Sequence, residues 1–403
     1  MSTETAVQMG RDDRKSAKTV AELLPPFPDA KVSGSFAFAR EVFRSPDMRQ
    51  GGGNADDVKV DNPDHTSFFF LHGEPHRKRR ASVAGYFTPK AIVNRYHPLM
   101  QRAMDEVIAE LKATGRGKLD EMSGRIAAYV TMEILGLTND KTNLQIAERI
   151  KNISNGTAGF DRRPLYRLIN VHLFGWLHQL IYNWRCMEFY RKDIAPAVEA
   201  RRATPKDDVI SYMVKEGYSQ RAMIIECLTY GVAGVSTTRE FIVMAAWHLF
   251  EKKDLRERFL NGTEADQFAI IEELLRLEPV AGHLYRRADK TVDGLPGGTI
   301  PKGELLGFNI RALNSDETIA GPNPFQIDPD RAKKMKVIGT YLSFGDGPHR
   351  CPGAQVALHE TRIFLDRLLR VPGVRLATEP TISCNLSTQG YELRGAVVAC
   401  DPA

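Results

Sequence analysis

This sequence predicts a mainly α-helical protein with small β-sheets. Three observations lead there. Apolar residues recur at helical spacing over residues 90 to 155, for example Met100, Met104, Val107, Ile108 and Leu111. Ser219 to about Lys252 reads as one long helix, about 50 Å at 1.5 Å per residue. Ile224, Leu228, Val232, Val235, Val243, Ala246, Trp247 and Phe250 make it apolar around much of its girth, so it should be central and buried. Strand patterns are short: Val292 to Leu306 alternates with Gly and Pro turns.

Composition sets the class. At 403 residues, 42% apolar and 26% charged, the chain is an ordinary globular protein, soluble and long enough for a large core. The net charge of +5 comes without a long basic block, which argues against nucleic acid as a partner. Five scattered cysteines (Cys186, Cys227, Cys351, Cys384, Cys400) form neither a disulfide framework nor Cys-x-x-Cys spacing, as in a reducing compartment. Met1 to about Thr19 is polar and has no apolar signal core. The longest charge-free run, Leu168 to Trp184, contains Asn170, His172, His178, Gln179 and Asn183, so a spanning helix is not expected. The expectation is a cytoplasmic protein with no membrane anchor, a disordered tail over residues 1 to 20, and one domain over 21 to 403.

Chemistry concentrates at Phe344-Gly345-Asp346-Gly347-Pro348-His349-Arg350-Cys351-Pro352-Gly353. A Gly-rich turn leads to one cysteine and then to a helix. Ala354, Ala357, Leu358, Thr361, Leu365 and Leu368 share a face of that helix, and Pro352 suits its first position. Cys351 then faces unpaired N–H groups and the positive end of the dipole, a setting that lowers a thiol pKa and holds a thiolate. Gly345 and Gly347 allow the tight bend that brings amides towards the sulfur. Taken alone, the same pattern also describes a buried, inert cysteine after an ordinary turn.

Phe-Gly-x-Gly-x-x-x-Cys-x-Gly, with His349 two residues before the cysteine, resembles the ligand loop of the cytochrome P-450 haem-thiolate superfamily in its bacterial soluble form. The resemblance implies the family fold, with haem b (iron protoporphyrin IX) between the long central helix and the Cys-loop helix. Cys351 would be the axial iron ligand, and Phe344 one of the residues that bind the cofactor.

Other stretches read twice, once plainly and once through the resemblance. His72-Gly73-Glu74-Pro75-His76-Arg77-Lys78-Arg79-Arg80 opens a helix, and a basic cluster there is by itself a solvated face. His76 and Arg80, at i and i+4, match the family positions that hold a haem propionate. Arg77, Lys78 and Arg79 would point partly to a surface where an acidic redox partner docks. The family often has Arg where Lys78 stands, and Lys lacks bidentate geometry. Leu165 to Tyr190 carries Phe174, Trp176, Leu177, Ile181, Tyr182 and Trp184. It reads as core, as a surface amphipathic segment, or, by position in the family, as the roof of the substrate chamber.

The middle of the long helix, Ala233-Gly234-Val235-Ser236-Thr237-Thr238, is small and hydroxylic, as in a kinked core helix. It also resembles the family's oxygen-binding groove. Thr237 falls on the Thr that hydrogen-bonds dioxygen and helps protonate it. Ser236 stands where most members carry an acid, and a serine passes a proton through water but cannot supply one as a carboxylic acid does. Glu273 and Arg276 lie at i, i+3, which alone suggests a surface ion pair. In the family this Glu-x-x-Arg is completed by a later Arg, here Arg331, as a structural clasp. Arg286, favoured by register over Arg287, and His349 match further propionate partners. Gly282 to Leu284 would border the chamber, with His283 either contacting substrate or structurally hydrogen-bonded. Thr388 to Val398 should form a hairpin whose turn closes the substrate site.

The resemblance covers about residues 70 to 400 and implies a monooxygenase. Electrons would come from a ferredoxin-type donor and its reductase, and the substrate would be a hydrophobic small molecule. Ser236 keeps a peroxide-using or coupling-type enzyme open as an alternative, and a haem-binding sensor without turnover is a third reading.

Overall fold

A computed structural model describes residues 11–52, 54–57, 62–137, 143–158, 175–295, 298–385 and 388–401. Helices dominate. In chain order the main ones are α1 (Ala17–Leu23), α2 (Phe36–Arg44), α3 (Gly73–Val83), α4 (His97–Thr114), α5 (Leu119–Leu135), α6 (Asn143–Ala158), α7 (Gly175–Phe189), α8 (Gln220–Gly231), α9 (Thr237–Glu251), α10 (Glu264–Leu277) and α11 (Ala354–Leu369). Local chemistry sets their ends. Ser219 accepts from Ala222 N at the start of α8, and Thr263 and Asp266 form a reciprocal capping box on α10.

Three small sheets complete the architecture. One has the order β1-β5-β4-β2, from β1 (Lys31–Ser33), β2 (Met48–Gln50), β4 (His283–Ala288) and β5 (Leu305–Asn309). In it β1 runs parallel to β5, and the other two pairings are antiparallel. The second joins β3 (Arg116–Lys118), β9 (Val397–Ala399) and β6 (Arg375–Thr378). The third is the hairpin of β7 (Thr381–Asn385) and β8 (Gly390–Arg394). The C-terminal hairpin therefore lies over 381–394, not over Thr388 to Val398, because Gly395 at φ +78° turns the chain into the second sheet.

The long helix is present, but not as uninterrupted α-helix. α8 and α9 are joined by a π-helical turn, Val232–Ser236. After that turn every residue from Thr238 to Leu249 is buried. α9 packs against α5, α11 and β8 at the centre of the larger hydrophobic core. A second core joins α2 to the first sheet and to Tyr341 and Leu342. Phe344 packs on the larger core, so the Cys loop starts where the two cores meet.

Two expectations are corrected here. Residues 11–20 belong to the folded body. Asp13 N donates to Phe325 O at 3.0 Å, Ser16 is fully buried with its Oγ on the Glu278 carboxylate, and α1 begins at Ala17. In the aromatic-rich stretch, Leu165 to Phe174 lie outside the described residues. On α7, Trp176, Leu177, Leu180, Ile181, Trp184 and Met187 face solvent. Cys186 is buried, and Tyr182 packs on the core beside it. The helical phase turns both tryptophans outward, so they do not line a chamber.

Candidate functional site

The loop before α11 is shaped by its own backbone. Gly345 and Gly347 both stand at φ +69°, where only glycine sits without strain, and a Cβ on Gly347 would strike the Phe43 carbonyl. Gly345 N donates to Leu342 O at 2.8 Å and Cys351 N to Phe344 O at 2.9 Å, which closes the loop on itself. Asp346 accepts from Gly347 N at 2.7 Å and from Nε of Arg40 and of Arg44 at 3.0 Å each. Those contacts staple the loop to α2.

Cys351 sits just ahead of α11, as expected, but the helix starts at Ala354. Pro352 therefore lies in the preceding turn and not at the first helical position. Gly353 caps α11 without any side-chain hydrogen bond. The amides of Gly353 and Ala354 point at the Cys351 sulfur instead, so the cysteine takes the capping role. Burial nevertheless pushes the thiol pKa up, outweighing those amides and the charges of Arg80 and Arg350, which act to lower it. The expected fall in pKa is overturned because desolvation of a thiolate exceeds what two amides and two cations return.

On one side of this loop, basic groups crowd together. His76 is buried on α3, and its ring lies 4.0 Å from that of His349. Arg80, one turn on, donates from Nη2 to the Arg350 carbonyl at 2.6 Å. Arg286 on β4 is buried and donates to Gln50 Oε1 at 2.5 Å and Tyr285 O at 2.8 Å. His76 Nε2, His349 Nε2, Arg80 Nη1 and Arg286 Nε are all buried without a hydrogen-bond partner among the described residues.

The electrostatics agree with the geometry. Burial, then Arg80 and His72, drives His76 down to about 4. His349 falls to about 2 through burial and then the nearby His76, Arg286, His72 and Arg80. Burial alone lowers Arg286 to about 10. Buried cations normally carry an anionic partner. Four orphaned donors with no carboxylate bound among them fit a dianionic ligand, such as the two propionates of haem, beside the Cys351 loop.

Thr237 opens α9, and its Oγ1 donates to Ala233 O at 2.6 Å. Ala233 is exposed, and Gly234, Ser236 and Thr237 are half-buried, in a helix otherwise sealed into the core. The turn therefore borders open space. A Cβ on Gly234 would strike the Thr131 side chain of α5, so glycine is what lets the two helices close up there.

Glu273, Arg276 and Arg331 do converge. Arg276 Nε meets Glu273 Oε2 at 2.7 Å, Arg331 Nε meets Glu273 Oε1 at 3.0 Å, and all three are buried. Arg77 and Lys78 are exposed, paired with Glu74 and Asp64. Arg79 is not: it is buried, with Nη2 on Glu226 at 2.6 Å. At about 100° per residue, Arg79 falls on the inner stripe of α3 with His76 and Val83. Arg287 pairs with Asp56 at 2.8 Å on the surface, which leaves Arg286 as the buried one of the two.

On β4, alternation puts Leu284 with Arg286 and His283 with Tyr285, whose ring stacks on His283 at 6.1 Å. A Cβ on Gly345 would touch Leu284 Cδ1 at 3.6 Å, so Leu284 is the residue next to the Cys loop. His283 lies on the other face, away from the expected chamber border. His72 was also missed. Its ring stacks parallel to His349 at 6.3 Å, and its i, i+4 spacing to His76 was the available signal.

The chain is similar to several known proteins. The family profile described as "Cytochrome P450" matches residues 268–380. The curated protein "Cytochrome P450(BM-1)" of Priestia megaterium is 28% identical over 313 residues, 75% of this chain and 70% of that one. The crystal structure of CalO2 superposes with a TM-score of 0.76 over 93% of this chain and 92% of that chain, at 20% identity. That of "the versatile cytochrome P450 enzyme CYP109B1" from Bacillus subtilis gives 0.72 over 92% and 93%, at 22% identity. At those identities the two structures establish the fold.

Proposed function

We propose that the chain, which matches the cytochrome P450 profile over residues 268–380 and is 28% identical to a bacterial cytochrome P450, is a haem-thiolate monooxygenase that oxidises a hydrophobic small molecule with electrons from a ferredoxin-type donor and its reductase. The observation that carries this reading is the set of four orphaned donors, His76, Arg80, Arg286 and His349, beside a loop that presents Cys351 at a helix start. The catalytic unit is a single domain. The cofactor is haem b, since none of the five cysteines lies in the Cys-x-x-Cys-His pattern of covalent attachment.

When bound, the haem supplies the activation of dioxygen, with a thiolate ligand favouring O–O cleavage. Cys351 is that ligand, its charge stabilised by the Gly353 and Ala354 amides. His76, Arg80, Arg286 and His349 hold the two propionates, and Phe344 packs the loop against the core. Buried Arg286 and the other three orphaned donors would find their missing anionic partners in those propionates. Thr237 holds a proton at Oγ1 while its lone pairs remain free to accept another, so it can pass protons along a water chain. Ser236 can extend that chain but cannot start it as an acid. Leu284 limits the space beside the cofactor and favours apolar substrates.

Exposed Arg77 and Lys78 suit an acidic electron donor. Among the described residues no helix is long and apolar enough to cross a membrane, which is in keeping with work in the cytoplasm. Ser236 sustains one other reading, a peroxide-using or coupling-type enzyme. Turnover under labelled dioxygen with ferredoxin and reductase separates the two. The monooxygenase should put one labelled oxygen atom into product, whereas full turnover on peroxide without label from dioxygen would overturn it.

A further inference from the structure

We propose that His97 and His359 form a binding site for a divalent transition-metal ion, Cu2+ or Ni2+ in preference to Zn2+, where α4 packs on α11. His97 Nε2 and His359 Nδ1 lie 2.9 Å apart, with ring centroids 4.8 Å apart and ring planes at 52°. His97 opens α4 and His359 sits within α11, so two packed helices hold the pair. Both side chains are half-buried, which holds the rings yet leaves them open to solvent.

The spacing selects the ion. Two nitrogens at right angles and each about 2.0–2.1 Å from one ion lie ~2.9 Å apart, the cis relation of tetragonal Cu2+ or Ni2+. Tetrahedral Zn2+ would need them ~0.4 Å further apart. Protons balance without loss. The hydrogen now shared between the facing nitrogens moves to an outer nitrogen of the same ring, and both facing lone pairs turn to the ion. The pair is neutral near pH 7. Burial, then His97 and Arg362, takes His359 to about 4, and burial with Arg362 lowers His97. A neutral imidazole is the ligating form.

Charges around the pair are mixed. Glu264, in the first turn of α10, supports a cation, while Arg362 opposes it and pairs with Glu264 at 3.1 Å. Phe268 stands edge-on to His359 at 4.9 Å. Among the described residues no third His, Cys, Asp or Glu completes a set, so water fills the remaining positions. The site is apart from the orphaned basic donors, yet it lies on the helix that the Cys loop begins.

The test titrates intact holoprotein with Cu2+, read by calorimetry and by electron paramagnetic resonance. We expect one tight equivalent with hyperfine structure from two imidazole nitrogens, weakened at least tenfold in His97→Gln and in His359→Gln. A wild type with no such equivalent, or variants that bind it unchanged, would overturn the proposal. Should a variant fail to fold, carbethoxylation of the wild type decides. Cu2+ shielding His97 and His359 supports the site, and unaltered modification overturns it.

Discussion

Arg286 carries a buried charge that no carboxylate among the described residues pairs with, and its pKa falls to about 10. A drop of that size from the ordinary 12.5 corresponds to about 3 kcal/mol against the charged form. At pH 7 the group is charged in both folded and unfolded chains, so the cost is constant there and eases only above about pH 10. Arg286→Met should therefore act in opposite directions on two readouts. The haem-free protein should melt higher, and the holoprotein should lose haem faster to a scavenger such as apomyoglobin. A variant that leaves haem retention unchanged would remove Arg286 from the cradle. Thr237 makes a different prediction. With no acid at position 236, the hydroxyls of Ser236 and Thr237 are the protic side chains where the turn meets α9. Thr237→Ala should keep substrate binding but let reductant consumption outrun product several-fold; unchanged coupling would end its assigned role.

Elements hold these residues in place, and the Glu273 clasp is the clearest case. Glu273 receives Arg276 and Arg331, while Arg331 also donates to the carbonyls of Asn323 at 3.1 Å and Gln326 at 2.9 Å. Glu273→Gln leaves two buried guanidinium groups short of charge and should cost about 3–5 kcal/mol. A thermal melt reads it, and a loss under about 1 kcal/mol would return the trio to an ordinary ion pair. At the π-helical turn, Gly234→Ala should destabilise by about 1–3 kcal/mol through overpacking on Thr131. Element identity was legible where pattern was strong: α8 to α9, α10 and α11 all follow apolar spacing. The π turn was foreshadowed only as a bend, because small and hydroxylic residues weaken a helix without stating how it yields. The outward phase of α7 and the inward phase of Arg79 were not legible. Apolar or basic composition does not say which neighbours will pack on which face.

Across the whole molecule, the imidazoles set an acid limit. His76 and His359 are neutral in the folded state down to about pH 4, while the unfolded chain binds their protons below about 6.5. The unfolded state thus holds more protons in that window, and stability falls as pH drops from 6.5 to 4. The slope is at most about 1.4 kcal/mol per pH unit for each group. Denaturant midpoints of the haem-free protein should follow that slope, and the holoprotein should resist acid better because propionates favour protonated His76. A midpoint indifferent to pH across the window would contradict the burial of these groups.

At this scale the fold class was readable from helical spacing, whereas the Cys351 loop was readable through likeness to a known family, since its spacing alone also describes an inert cysteine. The basic cradle was readable residue by residue only through likeness to a known family. What links His76, Arg80, Arg286 and His349 is their approach in space across more than 250 positions of chain, and no local pattern encodes that approach. The folding of residues 11–20 was missed for the same reason, since a polar segment gains its order from distant residues, Glu278 and Phe325 among them.

The central claim is that Cys351 ligates haem iron as a thiolate. The measurement is the carbon-monoxide difference spectrum of the reduced holoprotein, taken for wild type and for Cys351→Ala. The account predicts the long-wavelength Soret band after which the family is named, present in wild type and absent in the variant. A wild type without that band, or a variant that keeps it, would contradict the account.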